Sequence, residues 1–232
     1  ASSSQLIHFG FRLFPRFVQI QAQGKQGLRQ IGQFLRQRMT YGMAQDGQAG
    51  HSGHRPRQKI SLPDVSIEGA PENYHTFNGE ICQARYVSGV VAGLKLRQLL
   101  DEGTLRPDQA LVGFVGANAS AEVISGYTSF YLGAKSVCPD VQMKVQFTGS
   151  WYDEKEEKTA AEALINAGCD LISQHADSMG APTACEAAGV PNVSYNGSTA
   201  AACPKTFLVS SRINWVPYFE YMITQVKNGE EI

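Results

Sequence analysis

Four short apolar runs alternate along the chain with stretches that have the 3.6-residue period of a helix. The runs are Leu111–Val115, Val141–Phe147, Asp170–Gln174 and Val190–Tyr195. Strands that alternate strictly with helices predict a parallel sheet with right-handed crossovers. The carboxyl ends of the four strands should then meet at one edge of the sheet, where open α/β sheets bind ligands. The predicted fold class is therefore α/β, with a ligand site at that edge.

The stretches around these runs predict helices from their apolar spacing and end signals. The predicted helices are Glu80–Leu100, Glu122–Val137, Glu154–Ala167 and Ala181–Ala188. Small residues within Ser88–Gly93 should allow the first helix to pack closely against a neighbour. Val141–Phe147 alternates apolar and polar residues, which predicts a strand near the edge of the sheet with one wet face.

Further elements are predicted on both sides of this array. Pro63–Ile67 is predicted to be a short strand, and Phe207–Ser211 a strand that leads out of the array. Asn214 is placed to cap a final helix that ends at Gly229,.

The first 60 residues differ sharply from the rest of the chain. They contain nine Lys and Arg, one acidic residue and eleven Gln, whereas the remainder holds 11 basic and 20 acidic residues. Such a segment can be a basic arm for a membrane surface or nucleic acid. The abrupt change near Ser61 instead favours a disordered or non-native segment. The net charge of −1 argues against general nucleic-acid binding,. No apolar run is long enough to span a membrane, and no signal peptide follows Ala1.

The spacing of reactive residues argues against several enzyme classes. The five cysteines form no Cys-x-x-Cys pair, which excludes the usual structural zinc and thioredoxin-like motifs and favours buried free thiols over a disulfide framework,. No Gly-x-Ser-x-Gly elbow or Gly-x-Gly-x-x-Gly fingerprint occurs,. We therefore predict no catalytic residues, no metal and no cofactor.

Polar and aromatic residues follow each predicted strand and are the candidates for ligand binding. Trp151 can stack on a planar ligand, or pack between sheet and helix,. Asp177 can accept hydrogen bonds from vicinal hydroxyls, or cap the next helix. Asn196 can bond a heterocycle edge or a hydroxyl, or form a turn with the glycine after it. Asn118 and Ser150 follow the first two strands and should reach the same edge.

Five stretches in this order resemble the BMP family (basic membrane lipoprotein, or purine-nucleoside receptor-like) of substrate-binding proteins of ABC importers. They are Gln83–Gly89, Val112–Gly116, Thr148–Asp153, Ile172–Asp177 and Asn214–Tyr218, within a resemblance that spans Leu62 to Ile232. The resemblance implies a periplasmic-binding-protein type I-like fold of two α/β lobes around a hinge. It assigns 111–208 to the second lobe, and 61–110 with 209–232 to an incomplete first lobe.

The function that this resemblance implies is capture of a purine nucleoside or base between the lobes. Trp151 would stack on the base, while Asp177, Asn196 and Asn214 would hold base and sugar. The partner would be an ABC permease, and the full-length parent would be a lipoprotein at the cell surface or in the periplasm. Residues 1–60 show neither the family's lipoprotein signal nor its first acidic ligand motif.

Two other functions remain open on the sequence. The same binding core could serve as the sensing domain of a regulator, which would need an attached DNA-binding or signalling module. An α/β enzyme acting on nucleosides would need a cluster of acidic residues, and the strand ends supply only Asp177.

Overall fold

The computed structural model describes residues 18–22, 79–106 and 108–230. The predicted strand Pro63–Ile67 lies outside these residues, as does most of the basic segment. The elements in chain order are β1 (Val18–Ala22), α1 (Ile81–Asp101), β2 (Leu111–Gly116), α2 (Ala121–Lys135), β3 (Gln142–Phe147), α3 (Glu154–Asn166), β4 (Leu171–His175), α4 (Gly180–Ala188), β5 (Asn192–Tyr195), β6 (Phe207–Ile213) and α5 (Val216–Asn228).

Six strands form one sheet in the order β1-β6-β5-β4-β2-β3. All neighbours are parallel except β1 and β6. In the centre, Val112 of β2 lies opposite Met143 of β3 on one side and Leu171 of β4 on the other. The predicted parallel array is confirmed, and β3 lies at the sheet edge as its alternating pattern predicted.

Three elements lie differently from the sequence prediction. β6 does not leave the array, because it pairs in parallel with β5, with Tyr195 opposite Ser211. Val18–Ala22, within the segment expected to be disordered or non-native, forms a strand that pairs antiparallel with β6. α1, which was assigned to the first lobe, packs on α2 and β6 and shares their core. The division of the chain into two lobes stays a prediction.

Helices cover both faces of the sheet. Consecutive strand residues point to opposite faces, so a buried strand contributes side chains to a core on each face. Phe114 belongs to a core that includes Leu96 of α1 and Phe130 of α2. The next residue, Val115, belongs to a second core with Leu164 of α3 and residues of α4. α1 and α2 therefore cover one face, and α3 and α4 the other.

Close contact between α1 and α2 depends on glycines. A Cβ on Gly89 would lie 1.9 Å from the carbonyl oxygen of Phe130, and one on Gly133 would lie 2.0 Å from that of Tyr86. Real Cβ atoms do not approach backbone so closely, so each helix needs a residue without a side chain at the crossing. The predicted close packing of the small-residue stretch is confirmed.

Local end signals also match the sequence. Asp153 caps α3, because its Oδ1 accepts the N–H of Glu156 at 3.0 Å,. Gly189 follows α4 with φ 71°, a left-handed conformation that glycine adopts without steric cost,. All five cysteines are free thiols, and four are buried.

Candidate functional site

Backbone hydrogen bonds join the loops that follow β2, β3 and β4. The N–H of Ala117 donates to the carbonyl of His175 at 3.0 Å, and that of Gly149 donates to Ala117 at 2.7 Å. The N–H of Asp177 donates to the carbonyl of Trp151 at 2.8 Å. Trp151 and Asp177, which are far apart in the sequence, are therefore neighbours at one edge of the sheet.

A cleft of about 380 Å³ opens beside these loops. It is formed by the ends of β4 and β5 and the loops after them, and its lining residues are Gln174, Ala176, Asp177, Ser178, Met179, Tyr195, Asn196, Gly197 and Thr199. Most of these side chains offer hydrogen-bond donors or acceptors, and Asp177 supplies the one carboxylate among them. A neutral ligand that carries several hydroxyl or amide groups suits such a lining.

Asp177 and Asn196 are the two predicted ligand residues that line this cleft. Asp177 is exposed and does not cap α4, because the N–H of Gly180 donates instead to Ser178 Oγ at 3.1 Å. Asn196 forms the turn that the sequence also allowed, with φ 61° and its N–H donated to the carbonyl of Ser211 at 3.0 Å. A turn at Asn196 is compatible with a side chain that lines the cleft.

Trp151 lies beside the cleft rather than in its lining. Its half-buried indole packs against a small apolar cluster of Ala117, Val123 and Ala176. Its ring centroid is 6.0 Å from that of His175. The packing role that the sequence allowed is therefore present, and the indole keeps part of its surface free for a second contact.

The other three predicted residues do not line the cleft, and two of them make local hydrogen bonds. Ser150 Oγ accepts the N–H of Tyr152 at 3.2 Å, and Asn214 Oδ1 accepts the N–H of Val216 at 3.3 Å at the start of α5. Asn118 is half-buried after β2. The role of these residues in ligand binding stays a prediction.

A partly buried aromatic and acidic cluster that the sequence did not reveal supports one wall of the cleft. The rings of Tyr195 and His175 stack with centroids 3.9 Å apart. The Tyr195 hydroxyl donates to Glu122 Oε1 at 3.2 Å, and His175 Nε2 lies 3.7 Å from the same oxygen. Glu122 lies in the first turn of α2, so this cluster links that helix to the ends of β4 and β5.

Burial and neighbouring groups together set the protonation states of the cluster. Burial lowers the pKa of His175, although Glu122 opposes this effect, so the ring is neutral at pH 7,. The nearby His175 ring lowers the pKa of Glu122, which stays ionised. Partial removal from water raises the pKa of the Asp177 carboxyl, and the nearby Glu122 charge raises it further. His175 itself is completely buried and is not among the residues that line the cleft.

A second group missed from the sequence is Arg85, which is completely buried on α1. Its guanidinium donates to the carbonyl of Ser194 at 3.0 Å and to Ser173 Oγ at 2.6 Å. The rings of Phe114 and Phe130 lie 5.3 and 5.1 Å from it. The sequence did contain a signal of this burial. Arg85, next to Ala84, lies on the apolar stripe of the predicted helix, where an exposed arginine is not expected.

Within residues 79–106 and 108–230 no three His, Cys, Asp or Glu side chains are grouped to hold a metal ion. In the same part of the chain, no helix combines the length and apolar character needed to cross a bilayer.

The family profile described as "ABC transporter substrate-binding protein PnrA-like" matches residues 52–232. The chain belongs to this Bmp family. The match covers most of the chain and confirms the resemblance drawn from the five sequence stretches. It begins inside the basic segment, slightly before the predicted start at Leu62. The fold is accordingly that of the α/β periplasmic-binding-protein type.

Named proteins from two organisms are similar in sequence to this Bmp-family chain. A purine-binding protein of Brucella abortus is 33% identical over 171 residues, covering 71% of this chain and 46% of the relative. A Haloferax volcanii protein, named for glucose binding in an ABC transporter, is 30% identical over 172 residues, covering 72% of this chain and 41% of the relative. The chain therefore spans less than half the length of these curated relatives.

A solved structure has the same fold. It is an ABC transporter solute-binding protein from Conexibacter woesei, with a TM-score of 0.50 and 25% identity, covering 64% of this chain and 46% of that one. The partial coverage fits an incomplete first lobe.

Proposed function

We propose that this Bmp-family chain is part of the solute-binding component of an ABC importer and captures a purine nucleoside or base. The observation that carries the proposal is the cleft at the carboxyl edge, with Asp177 and Asn196 in its lining and Trp151 beside it. The 33% identical Brucella abortus relative is a purine-binding protein. Binding requires no covalent chemistry, which agrees with a family of solute-binding proteins rather than enzymes.

The proposed contacts divide between base and sugar. The exposed part of the Trp151 indole stacks on the purine, a contact that contributes about 1–3 kcal/mol per base in nucleic-acid complexes. The Asp177 carboxylate accepts hydrogen bonds from two hydroxyls, while Asn196 bonds the sugar or the base edge. Asn118, Ser150 and Asn214 complete the rim when a second lobe closes over the ligand.

The proposal extends to location and partner. The two lobes would open and close about a hinge, and ligand would favour the closed form that the permease reads. The full-length parent would be anchored outside the cytoplasm as a lipoprotein. Residues 61–110 and 209–232 would belong partly to the first lobe, with α1 and β6 resting on the second.

Titration calorimetry of this chain with adenosine, guanosine and D-glucose tests the proposal. We expect heat from the nucleosides, a loss of about tenfold in affinity for Asp177→Asn, since one hydrogen-bonded charge is worth about that much, and a similar loss for Trp151→Ala. Trp215→Phe is the matched control, because it removes the second of the two tryptophans. Unchanged affinity in Trp151→Ala would remove the indole from the site.

A sugar is the second candidate ligand. The Haloferax volcanii relative is named for glucose binding, and the polar lining of the cleft suits hydroxyls as well as a heterocycle. Tighter binding of D-glucose than of either nucleoside would favour this candidate. Conversion of a nucleoside to free base would instead favour an enzyme.

A further inference from the structure

Glu157, in the first turn of α3, is a completely buried carboxylate that touches two loops. Its Oε1 accepts the N–H of Ser178 at 3.2 Å and the N–H of Asp153 at 3.4 Å. Ser178 follows β4, and Asp153 follows β3. One oxygen atom therefore joins two segments that are 25 residues apart in the chain.

These two segments carry the proposed ligand residues. Ser178 follows Asp177 directly, and Asp153 lies two residues after Trp151. The same segments meet through the hydrogen bond from the Asp177 N–H to the Trp151 carbonyl. Glu157 thus accepts hydrogen bonds from the backbone on both flanks of that bond.

A carboxylate at this position is costly for the fold, which points to a specific use. Glu157 Oε2 is buried without a hydrogen-bond partner among the described residues. Burial raises the pKa of this group, although the hydrogen bonds from Ser178 and Asp153 oppose that effect,. An apolar side chain would fill the same space at lower cost, but it could accept neither N–H.

Close packing leaves the side chain little freedom to move. A Cβ on Gly180, which begins α4, would lie 2.2 Å from the carbonyl oxygen of Glu154 in the first turn of α3. The start of α4 is therefore pressed against the turn that carries Glu157. The carboxylate is enclosed where the two helices and the two loops meet.

We propose that Glu157 is a positioning residue that sets the spacing of Trp151 and Asp177 at the binding edge. It touches no ligand and acts through the backbone of the two loops. This inference rests on the proposed function for its consequence in binding, while the loop geometry can be measured without ligand.

The test compares Glu157→Gln with Glu157→Ala by amide hydrogen exchange and nucleoside titration. The Gln oxygen can accept both N–H groups, so we expect exchange close to wild type and affinity within about twofold. Ala removes the acceptor, so the amides of Asp153, Asp177 and Ser178 should exchange at least about tenfold faster and affinity should fall about tenfold. Glu162→Ala on the exposed face of α3 is the matched control and should change neither quantity.

The exchange data separate the two proposals. If Glu157→Ala accelerates exchange only in the two loops while the wild-type chain binds no nucleoside, that result supports the positioning role and contradicts the proposed ligand. Unchanged exchange in Glu157→Ala, or equal acceleration in α1 and α2, overturns the positioning role whatever binds.

A measurement on the wild-type chain covers the case in which Glu157→Ala does not fold. The carboxyl carbon of Glu157 is titrated by NMR together with the amide signals of Ser178 and Asp153. Both amides should shift with the midpoint of the carboxyl. Amide signals that do not shift with the Glu157 carboxyl would overturn the inference.

Discussion

Replacing Arg85 tests how a buried charge is balanced beneath the candidate site. Burial lowers the pKa of Arg85 from 12.5 to about 10, which corresponds to a cost of about 3 kcal/mol for keeping the charge in the core. Against this cost stand the hydrogen bonds to the Ser194 carbonyl and to Ser173 Oγ. Ser173 Oγ also donates to the carbonyl of Val193, so it keeps one partner without the arginine.

Two substitutions separate the charge of Arg85 from its volume. Arg85→Met fills a similar space and removes both the charge and the donated bonds. The lost bonds, worth about 1–3 kcal/mol, and the relieved desolvation nearly cancel, so we expect stability within about 1 kcal/mol of wild type. Arg85→Ala also leaves a cavity between Phe114 and Phe130. We expect it to be about 3 kcal/mol less stable than wild type.

The assay is urea unfolding at pH 7 and 25 °C, followed by circular dichroism with equal m-values required for comparison. Arg97→Met is the control on the same helix, because Arg97 forms an exposed pair with Asp101 at 3.3 Å that should be worth less than about 1 kcal/mol. If Arg85→Met is as unstable as Arg85→Ala, the hydrogen bonds dominate and the reasoning about desolvation is wrong.

Three further predictions concern packing, pH and thiol reactivity. Gly89→Ala should lower the free energy of unfolding by about 1–3 kcal/mol in urea titrations, since its Cβ would meet backbone,; Gly197→Ala, with open space around it, should not. Burial lowers the pKa of His175 below its usual 6.5, so the unfolded chain binds a proton that the folded chain does not. Stability should therefore fall as the pH drops from 6.5 towards that lower pKa, and His175→Phe should flatten this dependence in urea titrations between pH 5 and 8. Burial raises the pKa of Cys185 to about 12, so a disulfide reagent monitored by absorbance should modify the partly exposed Cys82 first and Cys185 only on unfolding; early reaction of Cys185 would contradict its burial,.

The regular elements could be predicted because their signals are local. The apolar spacing of α2 and the cap of α3 at Asp153 depend on residues within a few positions of each other, and the structure places α2 within two residues of its predicted bounds. The strand at Val18–Ala22 also carries a local signal, the alternation of Val18 and Ile20 with glutamines. The strand was not predicted, because the basic composition of the surrounding residues favoured a disordered or non-native segment.

The buried polar groups could not be predicted because their partners are distant in the sequence. Glu122 meets Tyr195, and Arg85 meets Ser173 and Ser194, only after the sheet order is fixed. Apart from Arg85, which lies on the apolar stripe of its helix, each of these residues alone resembles an ordinary surface polar position. Asp177 and Asn196, which lie just after predicted strands, do line the cleft, and their role in binding stays a prediction.

The order of the strands explains why the site lies at this part of the edge. β3 and β4 lie on opposite sides of β2, so the chain leaves β2 towards the α1–α2 face and leaves β4 towards the α3–α4 face. Loops that diverge in this way open a crevice at the carboxyl ends of the strands. The cluster of Ala117 and Ala176 with Trp151 occupies this switch point, and the cleft lies next to it at the ends of β4 and β5. Strand order thus sets the position of the cleft, while the loop residues decide what the cleft binds. The ligand must therefore be found by substituting Trp151 and Asp177 rather than from the fold.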